Sequence, residues 1–356
     1  MRVKPGTLLT LGALLLLVAG LWLLDRHVSP YHMRIVNLIG INIILVVSLN
    51  LTNGFCGVFS LGHAGFMAVG AYLAAILALP AAKKVLLLPQ LPAWLASVEL
   101  PFLAALIVGG LGASLCALLI GYPVLRLRGH YLSMATLGFL VIVQVLITQQ
   151  DGLTRGARGI NGLAPYTTTG WVWGTAIATV FILWKLLHSA YGRGMIAIRE
   201  DDLAAECVGV NLAGHKLLSF CCGAFFAGIG GGLWGHLITV ITPSSFSYNQ
   251  TFNLVVMSVV GGMGSVTGGI LGASFMTVIP EFLRDLEMGV SIGGLTLPPL
   301  YGLSQIILAA ALILIILFRP DGMVGRWEFS WPRFQPKLKS GKGGDGDSSG
   351  IVSRAK

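Results

Sequence analysis

Charge is scarce in this chain of 356 residues. Lys, Arg, Asp and Glu make up 10% of it, against about 25% in an average soluble domain. None lies near the centre of a long apolar run, and Lys185 stands near the end of one, where its stem reaches the polar surface. Ion- and proton-coupled carriers ordinarily keep a carboxylate or a cation on the path, so this scarcity argues against such coupling. Catalytic signatures are missing as well. No GxxxxGK(S/T) loop is present, which excludes ATP hydrolysis on this chain by the common phosphate-loop route. No GxSxG elbow, no HExxH and no Ser-x-x-Lys in a supporting context occurs. Ser60 and His63 stand three residues apart, but nothing suggests a third group to orient them. The seven histidines form no metal-ligand pair and the five cysteines no CxxC, so neither a metal site nor a disulfide is expected. The net charge of +9 comes without a basic stripe of interleaved aromatics, which speaks against nucleic acid as a partner.

What the chain has in quantity is apolar sequence. It is 55% hydrophobic with 48 glycines and a mean hydropathy of +0.83. Thr7–Leu24 reads as a retained first span rather than a cleaved signal peptide, since no small-x-small site precedes Asp25. Further apolar runs follow at Met33–Thr52, Leu61–Leu79, Pro101–Gly121, Tyr131–Thr148, Trp171–His188, Leu217–Ile238, Phe252–Ile279 and Leu303–Phe318. Most approach the roughly 17–25 residues that cross hydrocarbon. Phe252–Ile279 is longer and carries Gly261-Gly262-Met263-Gly264 near its middle, which predicts a broken or re-entrant helix pair. Val85–Val98, with Pro89, Pro92 and Trp94, is too broken to span and is placed at the membrane interface. The fold class is therefore all-α, a polytopic integral membrane helix bundle of about 8–10 transmembrane helices. Residues 1–334 form the membrane domain, and 335–356 are read as a disordered tail. The basic tail (Arg319, Arg326, Arg333, Lys337, Lys339, Lys342) places the C-terminus inside; crossing parity puts the N-terminus, Leu125–His130 and Ser189–Lys216 there too.

Ser189–Lys216 is the longest polar interruption. It carries Arg193, Arg199, Glu200, Asp201, Asp202, Glu206 and Lys216. Asp201 or Asp202 caps a short helix here, Leu203, Ala204 and Ala205 propagate it, and Gly209 ends it. Such a helix held between two spans presents a hard knob to a soluble partner, and a solvated connection is the plainer alternative. Uncharged polar groups at depth, namely Asn37, Asn42, Asn50, Asn53, Ser60, His63 and Gln144, read either as interhelical hydrogen-bonding glue or as a path. Gly223, Ala227, Gly231 and Gly235 recur every four residues, as do Gly264, Gly268 and Gly272. Ladders of this kind pack helices within a subunit or line a partner interface.

Five stretches then carry a resemblance. Asn50–Leu79 (NLTNGFCGVFSLGHAGFMAVGAYLAAILAL), Leu127–Phe139 (LRGHYLSMATLGF), Gly192–Asn211 (GRGMIAIREDDLAAECVGVN), Val259–Ala273 (VVGGMGSVTGGILGA) and Tyr301–Gly325 resemble, in this order, the LivM-type permeases of branched-chain amino acid ABC importers. The resemblance implies a permease subunit in the bacterial cytoplasmic (inner) membrane, with both termini cytoplasmic. It implies a LivH-type permease partner, two cytoplasmic ABC ATPases and a periplasmic substrate-binding protein, and the lipid bilayer in which this chain is embedded. Leu, Ile and Val are the implied substrates. No cofactor is expected on this chain; ATP and Mg belong to the ATPases. Gly192–Asn211 is the implied cytoplasmic coupling loop, with Arg199, Glu200, Asp201, Asp202, Ala204, Ala205 and Gly209 as its residues. Ala204-Ala205 and Gly209 match the EAA-x3-G pattern of import permeases, although Leu203 stands where that pattern has Glu. Asn50, Asn53, Ser60 and His63 are candidate path residues, and Glu281, Arg284, Asp285 and Glu287 a candidate dock for the binding protein. Urea and short-amide permeases resemble the same family, and a stand-alone secondary carrier is a further alternative.

Overall fold

The computed structural model describes residues 20, 28–127, 129–287, 291–292, 295–296, 302–319 and 322–325. The first apolar run, apart from Gly20, and the tail from residue 335 lie outside the described residues. The first described long helix is α1 (Pro30–Asn50), which continues through a π-helical turn at Leu51–Phe55. An irregular stretch leads to α2 (His63–Ala78), after which α3 (Ala81–Leu87) turns away by 120°. The short α4 (Ala93–Ala96) precedes α5 (Phe102–Val124) and α6 (His130–Gln149). A one-turn α7 (Asp151–Thr154) and a two-residue strand β1 (Ile160–Asn161) lead to α8 (Thr169–Leu187). Then come α9 (Ala190–Glu200), α10 (Asp202–Cys207), α11 (Leu212–Ile238) and β2 (Val240–Ile241). The chain ends with α12 (Tyr248–Gly261), α13 (Val266–Glu287), the minimal pair β3 (Ser291–Ile292) and β4 (Leu295–Thr296), and α14 (Leu303–Phe318).

Among the described residues six helices are long and apolar enough to cross a membrane: α1 with its π turn, α5, α6, α8, α11 and α13. The apolar α2 and α14 have 16 residues each. The break in the long eighth run falls between Gly261 and Val266, inside the glycine-rich segment. Val85–Val98 folds as the end of α3, a turn and α4, and its anchor is a residue that the sequence reading passed over. Lys84 is 0% exposed, and its Nζ donates to the carbonyls of Leu95 (3.3 Å) and Val98. A buried ammonium is tolerated because it meets the carbonyls that end α4.

The bundle is built around α11, which packs most extensively against α5 and α2 and then against α1. Side chains explain that centrality. Gly228 faces Gly70 of α2 and Gly109 and Gly110 of α5, so three helices meet where backbone lies on backbone. Gly231 lies on the Met67 carbonyl, and Gly223 on Ser48 and Thr52. Gly235 sits on Ile241 of the chain's own β2, and Ala227 is buried. The ladder on α11 thus packs helices within this chain. In the other ladder, Gly268 and Gly272 press against Gly261, so that α12 and α13 lie side by side. Gly264 departs from the ladder reading: it belongs to the turn between those helices, with φ +85°, where a helical spacing rule has no meaning.

Two ends of the bundle can be told apart. One gathers the π turn, α9, α10, the α12–α13 turn and residues 322–324, whose Met323 and Val324 amides donate to the carbonyls of Val260 and Gly261. The opposite end holds α3, α4, the β1–β2 pairing (Ile160 opposite Ile241) and an aromatic group of Phe102, Tyr166, Trp171 and His236. There too, Arg284 lies over the Tyr31 ring at 5.3 Å and reaches Glu281 at 3.4 Å.

Candidate functional site

The polar interruption folds as two helices where the sequence pointed to one. Ser189 opens α9, its Oγ accepting from the Gly192 amide. Asp201 breaks the helix, being extended (φ −159°, ψ 115°), and its Oδ1 accepts from the amides of Leu203 (2.8 Å) and Ala204 (3.0 Å). It is therefore Asp201 and not Asp202 that caps α10. Asp202 instead accepts from Lys216 Nζ at 2.7 Å, fastening α10 to the first turn of α11. Gly209 closes α10: its amide donates to Glu206 O (2.9 Å) and that of Val210 to Ala205 O (3.0 Å), the paired bonds of a Schellman end. Its φ of +85° is the left-handed geometry that such an end requires.

One face of α10 is anchored and the other is free. Ala205 is buried, whereas Leu203 is 66% and Val208 78% exposed, with Ala204, Glu206 and Cys207 exposed beside them. Leu203 and Val208 are thus large apolar groups held at the surface of a short helix that is fixed at both ends. Arg199 points the other way. Its Nη1 donates to the Gly54 carbonyl in the π turn at 3.0 Å, and its Nε and Nη2 meet Glu200 Oε1 at 3.2 and 2.6 Å. Arg199, Arg193 and His188 line an open cavity of about 480 Å³ together with Phe55, Ile196 and Gly264.

Behind Arg199 lies a stretch that is not helical, from Cys56 to Gly62. Backbone away from water must find its hydrogen bonds elsewhere, and here side chains of the π turn, of α6, of α12 and of the stretch itself supply them for the stretch and the start of α2. Asn53 Oδ1 accepts from the Ser60 amide (3.0 Å) and its Nδ2 donates to Ser60 O (3.2 Å). Ser133 of α6 donates to Phe59 O (2.7 Å), and Thr136 Oγ1 accepts from the Leu61 amide (3.0 Å). Ser60 Oγ accepts from the Gly62 amide, and Thr251 Oγ1 of α12 accepts from that of Ala64 at 3.2 Å. His63, buried, stands 3.1 Å from Ser48 Oγ. Asn50 holds the other break: its Oδ1 accepts from the Gly264 amide and its Nδ2 donates to Ser265 O, both at 2.8 Å.

The four candidate path residues thus come together around two broken helices, and each is occupied with protein partners. Two buried hydroxyls are not: Tyr72 Oη and Ser258 Oγ have no hydrogen-bond partner among the described residues. Ser48, Ser133, Thr136 and Thr251 were missed by sequence reasoning. They are hydroxyls inside apolar helices, and only the three-dimensional neighbour distinguishes them from Thr175, which bonds its own helix carbonyls. Of the remaining predicted polar groups, Asn42 donates to Thr277 (2.8 Å) and Gln144 to Pro243 O (3.4 Å). Among the described residues no cluster of His, Cys, Asp and Glu fits a metal ion, and all five cysteines are free thiols.

Known proteins share this chain's sequence across nearly its whole length. It is 29% identical to the high-affinity branched-chain amino acid transport system permease protein LivM of Salmonella typhimurium, over 92% of this chain and 76% of that protein. The LivM protein of Escherichia coli is also 29% identical, over 91% and 75% respectively. The LivH permease protein of Escherichia coli is 27% identical over 43% of this chain and 46% of its own. No solved structure matches. A family profile covers residues 31–317, from the first turn of α1 into the last turn of α14, and this chain belongs to that family, the permease component of the branched-chain amino acid transport system.

Proposed function

We propose that this chain is one of two permease subunits of an ABC importer that carries Leu, Ile and Val across the bacterial cytoplasmic membrane. The second permease is LivH-type. Energy comes from ATP and Mg on two ATPase chains that dock on the α9–α10 end of the bundle, which faces the cytoplasm together with both termini. A periplasmic binding protein delivers the substrate to the opposite end. The observation that carries the reading is α10 itself. It is a helix capped at both ends and fastened to α11, with Leu203 and Val208 turned outward, while Arg199 at the end of the preceding α9 is turned in. A chain that has no phosphate loop and no charge at the centre of its spans, yet displays such a knob, is built to receive work done elsewhere.

Alternating access then follows from the two breaks. Substrate sites in transporters lie where helices are discontinuous, and here the Cys56–Gly62 stretch and the Gly262–Ser265 turn sit on one network. An apolar side chain asks for few strong polar contacts on such a path, so selectivity can reside in the binding protein. At the opposite end Glu281, Arg284, Asp285 and Glu287 are the proposed dock for the binding protein, with Arg284 held over Tyr31 and beside Glu281.

The test is uptake of labelled leucine by cells lacking this gene, with and without its return, challenged with excess isoleucine, valine or urea. Restored uptake that isoleucine and valine suppress and urea does not is the expected result. Uptake suppressed by urea moves the substrate to short amides, and uptake that survives ATP depletion returns the chain to the stand-alone carriers.

A further inference from the structure

The geometry points to Arg199 as the strut that carries the movement of α10 into both broken helices, through the Gly54 carbonyl and the α12–α13 turn at Gly264. This rests on the reading of α10 as the ATPase dock. Arg199 is the last residue but one of α9 and stands two residues before the Asp201 cap, so a shift of α10 pulls directly on the segment that carries it. Its guanidinium is gripped from both sides, by Glu200 within its own element and by the Gly54 carbonyl across the gap. A planar fork held in this way transmits displacement with little rotamer slack. Two glycines make the approach possible. A Cβ on Gly57 would stand 3.2 Å from the Arg199 Cα, and one on Gly264 would run into Nη1.

Both points of contact lead onward. Asn50 clamps Gly264 and Ser265 to the end of α1, so the π turn and the α12–α13 turn move as one piece. Asn53, next to Gly54, grips Ser60 through both its amide and its carbonyl, and Ser60 leads through Gly62 to the first turn of α2. A π turn is a place where a helix has already left its regular ladder and often marks a functional site. The sequence grouped Arg199 with the residues that touch the ATPase. Its side chain is 20% exposed and spends its bonds on this chain.

The experiment uses the whole transporter reconstituted in proteoliposomes with its ATPases and binding protein, and reads leucine moved per ATP hydrolysed. Arg199→Gln is expected to copurify with the ATPases in normal yield and to hydrolyse ATP, while leucine per ATP falls on the order of tenfold, a typical coupling magnitude. Arg199→Lys, which keeps a donor for the Gly54 carbonyl, is expected to restore part of the loss. An unchanged ratio in Arg199→Gln overturns the strut, as does loss of ATPase copurification from a normally inserted variant, which would make Arg199 a docking contact. If Arg199→Gln fails to accumulate, Glu200→Gln, which releases one side of the guanidinium, is read in its place: a lowered ratio supports the strut and an unchanged one overturns it. Wild-type vesicles without ATP-dependent leucine uptake overturn the functional reading and the strut together, whereas the variant outcomes bear on the strut alone.

Discussion

Three residues hold α10 in shape, and each does so by a different physical means. Asp201 supplies an acceptor to two amides that have no helical partner, and removing such a cap costs about 0.5–2 kcal/mol. Gly209 supplies a left-handed φ, which a residue with a Cβ adopts at a cost of roughly 1–2 kcal/mol. Lys216 supplies a tether to Asp202. Asp201→Ala and Gly209→Val are therefore expected to insert normally and to lower leucine uptake several-fold, measured against the amount of protein in the membrane. Leu203→Glu together with Val208→Glu changes side chains only, keeping the Asp201 cap and the backbone bonds that close the helix at Val208 and Gly209, and is expected to abolish copurification of the ATPases, because two charges replace the exposed apolar edge. Native uptake in that double variant would remove α10 from the docking role. Much of this was legible beforehand. A cap acid, two alanines and a glycine are local signals, and local signals are what a sequence displays. The direction of Arg199 was not legible, since its partner Gly54 lies 145 residues away and offers only a carbonyl.

Helices whose bounds are set by glycine and by hydrophobic length were read closely. The run Leu303–Phe318 is α14 residue for residue, and the break in Phe252–Ile279 falls where the glycines stand. The missed elements have a common cause. The end of α1 becomes a π turn and the chain then stays irregular to Gly62, although Leu51–Gly62 is as apolar as its surroundings. What holds it open is Asn53 and Ser60 within it together with hydroxyls on α6, and one on α12 that meets the start of α2. Thr251→Val leaves the buried Ala64 amide unmet, at a cost of about 1–3 kcal/mol, and Thr136→Val leaves the half-buried Leu61 amide unmet at the lower end of that range. Both are expected to lower the unfolding temperature of the purified subunit in detergent, whereas Thr175→Val, whose hydroxyl only back-bonds within α8, is expected to leave it unchanged. α9 was overlooked because a polar stretch with two glycines looks like a loop until Ser189 is seen to cap it.

Across the molecule, sidedness is open to a direct check because the thiols are unevenly placed. Cys207 is exposed at the α9–α10 end, Cys56 is buried, and the other three are partly covered. A membrane-impermeant maleimide is expected to label Cys207 in inside-out vesicles and not in right-side-out cells, and bound ATPase chains are expected to protect it. Labelling from outside would invert the topology and with it the docking assignment. The same network that holds the irregular stretch also sets an order of events during synthesis. The Leu61 amide waits 75 residues for Thr136 and the Ala64 amide waits 187 for Thr251. Until the ribosome has passed α12, the amide in the first turn of α2 has no Thr251 hydroxyl to meet, although α5 and α11, the helices on which α2 chiefly packs, have already been made. A nascent chain arrested before residue 251 holds α1, α5 and α11 but lacks the latch of its first hairpin. The final third of the polypeptide is the clasp of the first.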